Sequence, residues 1–327
     1  MATLRTAAVL LAVLLEFLVC AGATAQTGPQ GYPAKPIRLI VPFPPGGGSD
    51  ILARSVAQEL SKAVGQQIVV DTRAGAAGSI GAEMAAKSPA DGYTLFTTYS
   101  GILVINPRIT KDSPFSERDF DPVILLVSVP MMAVIHPSLP IHTTADLIAY
   151  ARSNPGKLNY CSSGNGAYNH LAGELLNRLA GTKLTHIPFK GGGPAATALL
   201  GGQIDLMFTD PTAHLANVKA GKIRALGVSS SKPAITMPDL PPIAESVPGY
   251  DITSWNGFTV PAGTPPQIIK YLNFELNKIL ERTDFRQRLI ESGYVPVGGT
   301  PEQFGHLIRS EIAKWSPIIK DLNIKID

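Results

Sequence analysis

A short apolar run, a glycine-rich loop and an amphipathic helix follow one another three times along this chain, a pattern that points to an α/β fold. In the first copy Pro36 to Val41 reads as a buried strand and Val41 to Asp50, with three consecutive glycines, as the loop. Ile51, Leu52, Val56, Leu60 and Val64 then recur at helical spacing, Ser49 or Asp50 can cap the helix, and Gly65 can stop it. The second copy runs from a strand at Leu158 to Ser162 through Ser163 to Tyr168 into a helix carrying Leu171, Leu175, Leu176 and Leu179. The third runs from His186 to Phe189 through Lys190 to Pro194 into Ala195 to Leu200. Glycines let the backbone approach a ligand, and the first N–H groups of a helix lack intrahelical acceptors. Such a loop can seat a carboxylate or a phosphate. A single glycine run is also compatible with an ordinary tight turn; its repetition favours the seat.

Between these copies strands and helices alternate, which predicts a parallel sheet covered on both faces. Gln67 to Asp71 and Tyr93 to Thr98 read as strands, with the glycine-rich segment Gly75 to Gly81 running into a helix between them. Ile105 to Pro107 reads as irregular, and Pro122 to Val129 and Met131 to His136 as strands. Thr143 or Thr144 can cap a helix through Ala151. Ile204 to Phe208, ending at Thr209-Asp210, and Ile223 to Val228 are further strands, and the proline-rich passage Pro233 to Pro248 reads as a surface connection. Ile252 to Val260 is extended, a helix begins at Pro265, and a last one runs from about Pro301 to Trp315. The expected arrangement is two lobes, one from residues 26–127 and 254–327 and one from 128–253. They are linked by crossings near Val127–Pro130 and Ile252–Gly257, with a ligand cleft between them.

A chain of 327 residues with 45% apolar and 16% charged residues can bury a large core. Its net charge of +3 and lack of a basic cluster argue against a nucleic-acid partner. Residues 1–25 read as a secretory signal: Arg5, an apolar run from Ala7 to Ala21 broken by Glu16, then a small-x-small site that predicts cleavage after Ala25. An uncleaved anchor is the alternative, although the run is short for a span. Val19 before Cys20 argues against lipidation. Cleavage would leave Cys161 as the one cysteine, so no intramolecular disulfide could form, and would place a soluble protein outside the cytoplasm.

Catalytic patterns are missing. His136, His142, His170, His186, His214 and His306 show no metal-ligand spacing, there is no Gly-x-Ser-x-Gly elbow, and Gly156-Lys157 and Gly221-Lys222 lack the rest of a P-loop. Cys161, in an apolar strand, reads as a buried structural thiol. A dinucleotide loop fits in part. Gly46 and Gly48 match its first glycines and Asp71 its ribose acid, but Ile51 takes the third glycine position. Gly191 to Gly193 with Ala196 and Asp210 fits better, although Pro194 removes a donor. An exported nicotinamide-dependent oxidoreductase is the runner-up; the expectation is a non-enzyme without metal or cofactor.

Several longer segments carry a resemblance: Tyr32 to Asp50, Gly75 to Gly81, Asp91 to Leu95, Asn106-Pro107, Ser162 to Gly166 with His170 to Glu174, Pro188 to Gly191, Leu200 to Asp205, Ala220 to Leu226, Pro261 to Pro265 and Pro296 to Pro301. In this order the chain resembles the periplasmic substrate-binding proteins of the tripartite tricarboxylate transporter system, the Bug family. The resemblance implies a two-lobed, type II periplasmic binding fold that closes on a small organic acid, with bridging waters common. Its carboxylate would be gripped by one loop from each lobe. Carried onto this chain, those loops give Phe43, Gly46, Gly47, Gly48, Ser49 and Asp50, then Ser163, Gly164, Asn165, Gly166, Ala167 and Tyr168; Ser100 and Asp210 complete the expected site.

Neither loop contains an arginine, so backbone N–H groups with Ser49, Ser100, Ser163 and Asn165 are the expected donors. Ala167 and Tyr168 follow Gly166 where the family usually places a serine or threonine. Thr209 precedes Asp210 where many relatives have the aspartate itself, which weakens an acidic amino acid as ligand. Phe43, Tyr99, Tyr168 and Trp255 could stack on a ligand, and Lys190 is either a ligand cation or a surface lysine. A di- or tricarboxylate, aromatic dicarboxylates included, is the expected ligand. Membrane transporter subunits are the expected partners of a monomer. Sensing for a two-component system is the alternative use of the same binding event.

Overall fold

A computed structural model describes residues 28–46, 48–189 and 191–321. The expected signal segment, its cleavage site and Cys20, together with Gly47 and Lys190, lie outside the described residues. Two sheets form the frame. β1 (Ile37–Val41), β2 (Ile68–Thr72) and β3 (Thr94–Tyr99) run parallel, joined by helices α1 (Gly48–Val64) and α2 (Ser79–Ala86). β4 (Phe120–Pro130), β10 (Thr253–Pro261) and β11 (Val295–Pro296) complete a six-stranded sheet in the order β11-β4-β10-β3-β1-β2. The second sheet has the order β7-β6-β8-β5-β9, from β5 (Met132–Ile135), β6 (Asn159–Ser162), β7 (Thr185–Pro188), β8 (Leu206–Thr209) and β9 (Arg224–Val228).

Both sheets are mixed, which corrects the parallel expectation. β10 runs antiparallel to β3 and β4, and β5 antiparallel to β8 and β9. The reason lies in the connections. Strands joined through a helix return parallel, but β5 enters its sheet directly from β4, and β10 enters the first sheet on the way back from the second.

Helical stripes behave as the spacing predicts. α1 buries Leu52, Val56, Leu60 and Val64, and Gly65 ends it at φ +69. α4 (Thr144–Ser153) starts on a reciprocal capping box between Thr143 and Asp146. α5 (Tyr168–Ala180), α6 (Gly192–Leu200), α8 (Pro266–Glu281) and α10 (Pro301–Asp321) follow the remaining amphipathic runs. Four local expectations change. Ile105 to Pro107, expected to be irregular, is instead helical, the end of a π-helical turn (Gly101–Ile105) continued by α3 (Asn106–Ile109). Ile102 to Ile105 are all buried, so no polar face marks the turn. α7 (Pro211–Lys219) and α9 (Thr283–Glu291) carry too few apolar residues to show a stripe; α9 buries Phe285 and Leu289 alone. The passage Pro233–Pro248 is not wholly a surface connection, since Ala234, Met237, Ile243 and Val247 are buried. Asp50 is the third residue of α1 and reaches back to Gly46 N–H (3.0 Å), so it secures the loop from inside the helix.

One buried cluster runs from Phe96, Phe304 and Trp315 at the first sheet to Tyr160, Phe208 and Tyr250 at the second. Ser229, fully buried after β9, ties the two crossing segments. Its Oγ accepts from Met131 N–H (2.8 Å) and donates to the Ile252 carbonyl (2.5 Å). Its backbone N–H donates to Met131 O (2.8 Å) and its carbonyl accepts from Ile252 N–H (3.0 Å). Ser229→Ala leaves a buried N–H and a buried carbonyl each short of one partner, so it should cost about 1–3 kcal/mol in urea unfolding. A variant as stable as the parent would show that the side-chain tie is dispensable.

Candidate functional site

The strand–loop–helix copies place several helix starts around one cavity of about 730 Å³. From the first sheet come Phe43, Gly48 and Ser49 after β1, Ser100 and Gly101 after β3, and Ser254 and Asn256 on β10. From the second come Ser163, Gly164, Asn165, Gly166, Ala167 and Tyr168 after β6, and Asp210 after β8. The structure thus brings together all the expected site residues except three. Gly46 and Asp50 are not in the wall: Asp50 is 3% exposed and bonded to Gly46 and Arg54, and Gly47 lies outside the described residues. Ala77, Tyr99, Asn106 and Tyr294 also line the cavity, supplied by other parts of the chain.

Backbone geometry shapes the walls. Ala77 sits at φ +51, next to Ala76 at +45, a conformation unfavourable for residues with a Cβ. Asn106 Nδ2 holds the Ala77 carbonyl at 3.0 Å. A Cβ at Gly48 would come within 2.7 Å of the Tyr294 hydroxyl, so a side chain there would displace that tyrosine in the cavity wall. α5 begins after Ala167, and α7 after Asp210, without a side-chain cap. The Gly164 to Tyr168 loop is secured from below, with Gly166 N–H donating to His170 Nδ1 (3.0 Å) and Ser163 N–H to Asn169 Oδ1 (3.2 Å).

No arginine or lysine lines the cavity among the described residues. Its donors are neutral: helix-start N–H groups, Ser49, the Ser100 and Ser254 hydroxyls 3.2 Å apart, and amides including Asn256. The one acid in the wall is Asp210. Its carboxyl is open to the cavity, but the surrounding walls displace much of its hydration, which pushes its pKa up to about 6. Burial and then the Asp210 charge push Tyr294 up to about 12. Asp50 is held below the usual carboxylate range, first by the Arg54 hydrogen bond.

Of the four aromatic candidates, Phe43, Tyr99 and Tyr168 line the cavity, Phe43 meeting Tyr99 edge-on at 4.9 Å. Trp255 does not; alternation along β10 turns it onto Phe304 (5.1 Å) while Ser254 and Asn256 face the cavity. The Tyr168 hydroxyl donates to Glu311 Oε2 (2.9 Å), which also accepts from Trp315 Nε1 (2.9 Å). Asp71, the ribose-acid candidate, pairs with Arg38 and Arg73 outside the cavity. Cys161 is fully buried and its thiol is pushed up to about 12 by desolvation. Among the described residues no group of three or more His, Cys, Asp or Glu side chains is placed to hold a metal ion, and no helix is long and apolar enough to cross a membrane.

Beneath the second loop His170 and His186 stack with centroids 3.9 Å apart, and His186 Nε2 meets Ser162 Oγ at 2.7 Å. Desolvation lowers both rings to about 4, His186 being lowered further by its neighbour. In the unfolded chain they titrate at about 6.5, so on acidification that state takes up protons first. Stability that is full above about pH 6.5 is therefore lost as pH falls through about 4. Melting temperature should fall between pH 7 and pH 4, and His186→Gln, which keeps a polar group against Ser162, should flatten the fall; equal slopes in both proteins would refute the neutral pair.

Residues 52–324 match the family model described as tripartite tricarboxylate transporter family receptor, TctC. The chain is 36% identical to BugT of Bordetella pertussis over 320 residues, 97% of this chain and 98% of that one. Among solved structures it is similar to R. palustris Rpa4515 with adipate, at 37% identity and a TM-score of 0.80 over 90% of this chain and 99% of that one. It is also similar to MatC from Rhodopseudomonas palustris with bound malate, at 29% identity and a TM-score of 0.75 over 88% of this chain and 100% of that one.

Proposed function

The chain belongs to the tripartite tricarboxylate transporter receptor family, and from that premise we propose that its cavity captures a small di- or tricarboxylate for a membrane transporter. The observation that carries this reading is the cavity itself: loops from two sheets present neutral donors to one volume, and those of the second sheet bring two helix starts without side-chain caps. Adipate and malate in the two structural relatives support a carboxylate here. Residues 26–127 with 254–327 form one lobe of this reading and 128–253 the other, moving about the Ser229 tie. Contacts to both lobes favour the closed form, which a transporter then recognises. The proposed protein is periplasmic, monomeric and binds without catalysis; waters complete the carboxylate's hydrogen bonds.

A ligand that binds only the folded state raises the melting temperature by mass action. Screening the chain from Gln26 onward against aliphatic and aromatic mono-, di- and tricarboxylates, acidic amino acids and nicotinamide dinucleotides should give a shift with a carboxylate class. A shift with a dinucleotide and none with any acid would favour the oxidoreductase instead.

Asp210 adds a sign to that binding. Below about pH 6 its carboxyl is neutral and can donate to a ligand anion; above, its charge repels the anion. Tyr168 and Tyr294 keep their protons throughout this range. Carboxylate affinity should therefore fall on raising pH from 6 to 8, by up to about tenfold per unit for one linked proton. Asp210→Asn should remove that dependence in calorimetric titrations; an unchanged pH profile would take Asp210 out of the binding step.

A further inference from the structure

Three non-glycine residues among those described are held at positive φ, and two of them, Ala76 (+45) and Ala77 (+51), are neighbours; the third is Asp112. Ala77 lines the cavity. Alanine has no polar side chain to favour this backbone through a local hydrogen bond, as aspartate has, so its surroundings must impose it. Gly75 at φ +128 and Gly78 at +93 flank the pair, and Gly78 N–H closes onto the Gly75 carbonyl at 2.9 Å. A Cβ at Gly78 would come within 2.6 Å of Ile102 Cδ1, and one at Gly81 within 3.1 Å of Pro42. The turn between β2 and α2 is thus seated hard against the loop after β1 and the π-helical turn after β3, with no room to relax that way. Asn106, 8% exposed at the start of α3, holds it through Nδ2 on the Ala77 carbonyl at 3.0 Å. Only the amide nitrogen can face a carbonyl, so this contact also fixes how the Asn106 side chain is turned.

We propose that Asn106 is a positioning residue for ligand binding: it keeps Ala77 in a backbone conformation that an alanine would otherwise leave, and so sets the wall against which the ligand must fit. Ala77 is exposed and its surface is cavity surface, so a return to negative φ would move its methyl and its two peptide groups within the wall. Glycine would hold the same backbone unaided. Alanine puts a methyl into the wall instead, and the Asn106 amide offsets the strain that the methyl brings. It is the one side-chain hydrogen bond to residues 75–78 among the described residues.

The proposal rests on the carboxylate reading above, and a double-variant cycle separates the two. The chain from Gln26 onward would be titrated calorimetrically with succinate, glutarate, phthalate, citrate and every other acid of the screen above. Asn106→Ala should weaken the best-bound acid by about tenfold. Ala77→Gly alone should bind within about threefold of the parent, since glycine keeps the backbone of the wall. Adding Ala77→Gly to Asn106→Ala should bring affinity back to within about threefold of the parent, because a glycine there no longer needs the amide.

Two other roles for Asn106 give different results. A role in stability alone would lower the melting temperature of Asn106→Ala and leave its affinity at the parent's value. Direct contact with the ligand would leave the double variant as weak as Asn106→Ala. Either outcome overturns the positioning role while the carboxylate reading stands. Should Asn106→Ala not fold, Ala77→Gly and the double variant carry the comparison: affinities within about threefold of each other support the proposal, and a wider gap overturns it. Binding of no acid at all by the parent overturns the carboxylate reading and the positioning role with it.

Discussion

Helix starts left without side-chain caps are the constraint on which the cavity depends. Away from it, side chains satisfy the first N–H groups of α4, through Thr143 with Asp146, and of α10, through Thr300 with Gln303, while α8 and α9 begin without a side-chain cap. At the cavity the corresponding positions are Ala167 and Asp210, neither of which caps its helix through a side chain. A buried or half-buried N–H without a partner is unfavourable, so this omission makes sense where a ligand or water completes the bond. The glycines serve the same end; at Gly48 a side chain would collide with Tyr294 in the cavity wall.

Building an anion site from neutral dipoles has an energetic logic. A buried arginine would attract a carboxylate strongly but would leave an uncompensated charge in the empty state. Fixed N–H groups lose less on emptying, because water can replace the ligand. Asp210 goes further and opposes anions once ionised. The proposed site would therefore combine attraction from many weak donors with one titrating repulsion, an arrangement suited to reversible capture.

Much of this was legible in the sequence. The loops at Gly48-Ser49 and Ser163 to Tyr168 announce themselves through glycine spacing next to helical stripes, and both reach the cavity. So did the return of Ile252 to Val260 to the first sheet, now seen as β10. What stayed hidden came from residues with no local mark. Ala77 enters through a positive φ at an alanine, which no residue type signals, and Asn106 through an all-apolar helical turn without periodicity. Tyr294 arrives from a distant segment. Ser254 and Asn256 were readable in principle: they flank Trp255 on a strand, and alternation puts them on one face and the indole on the other. The antiparallel strands were missed because the alternation of strand and helix says nothing about a segment that leaves one sheet for the other.

The pairing of Tyr168 and Trp315 on one Glu311 carboxylate has a spectroscopic consequence. The sequence holds two tryptophans, and Trp315 is fully buried with its indole N–H on the same oxygen that holds a cavity-wall tyrosine. Any occupant that displaces Tyr168 changes the field at that indole, whereas Trp255 lies on the opposite face of its strand from the cavity. The molecule thereby contains its own optical reporter of occupancy, read as an emission change from Trp315 without a label or a coupled assay.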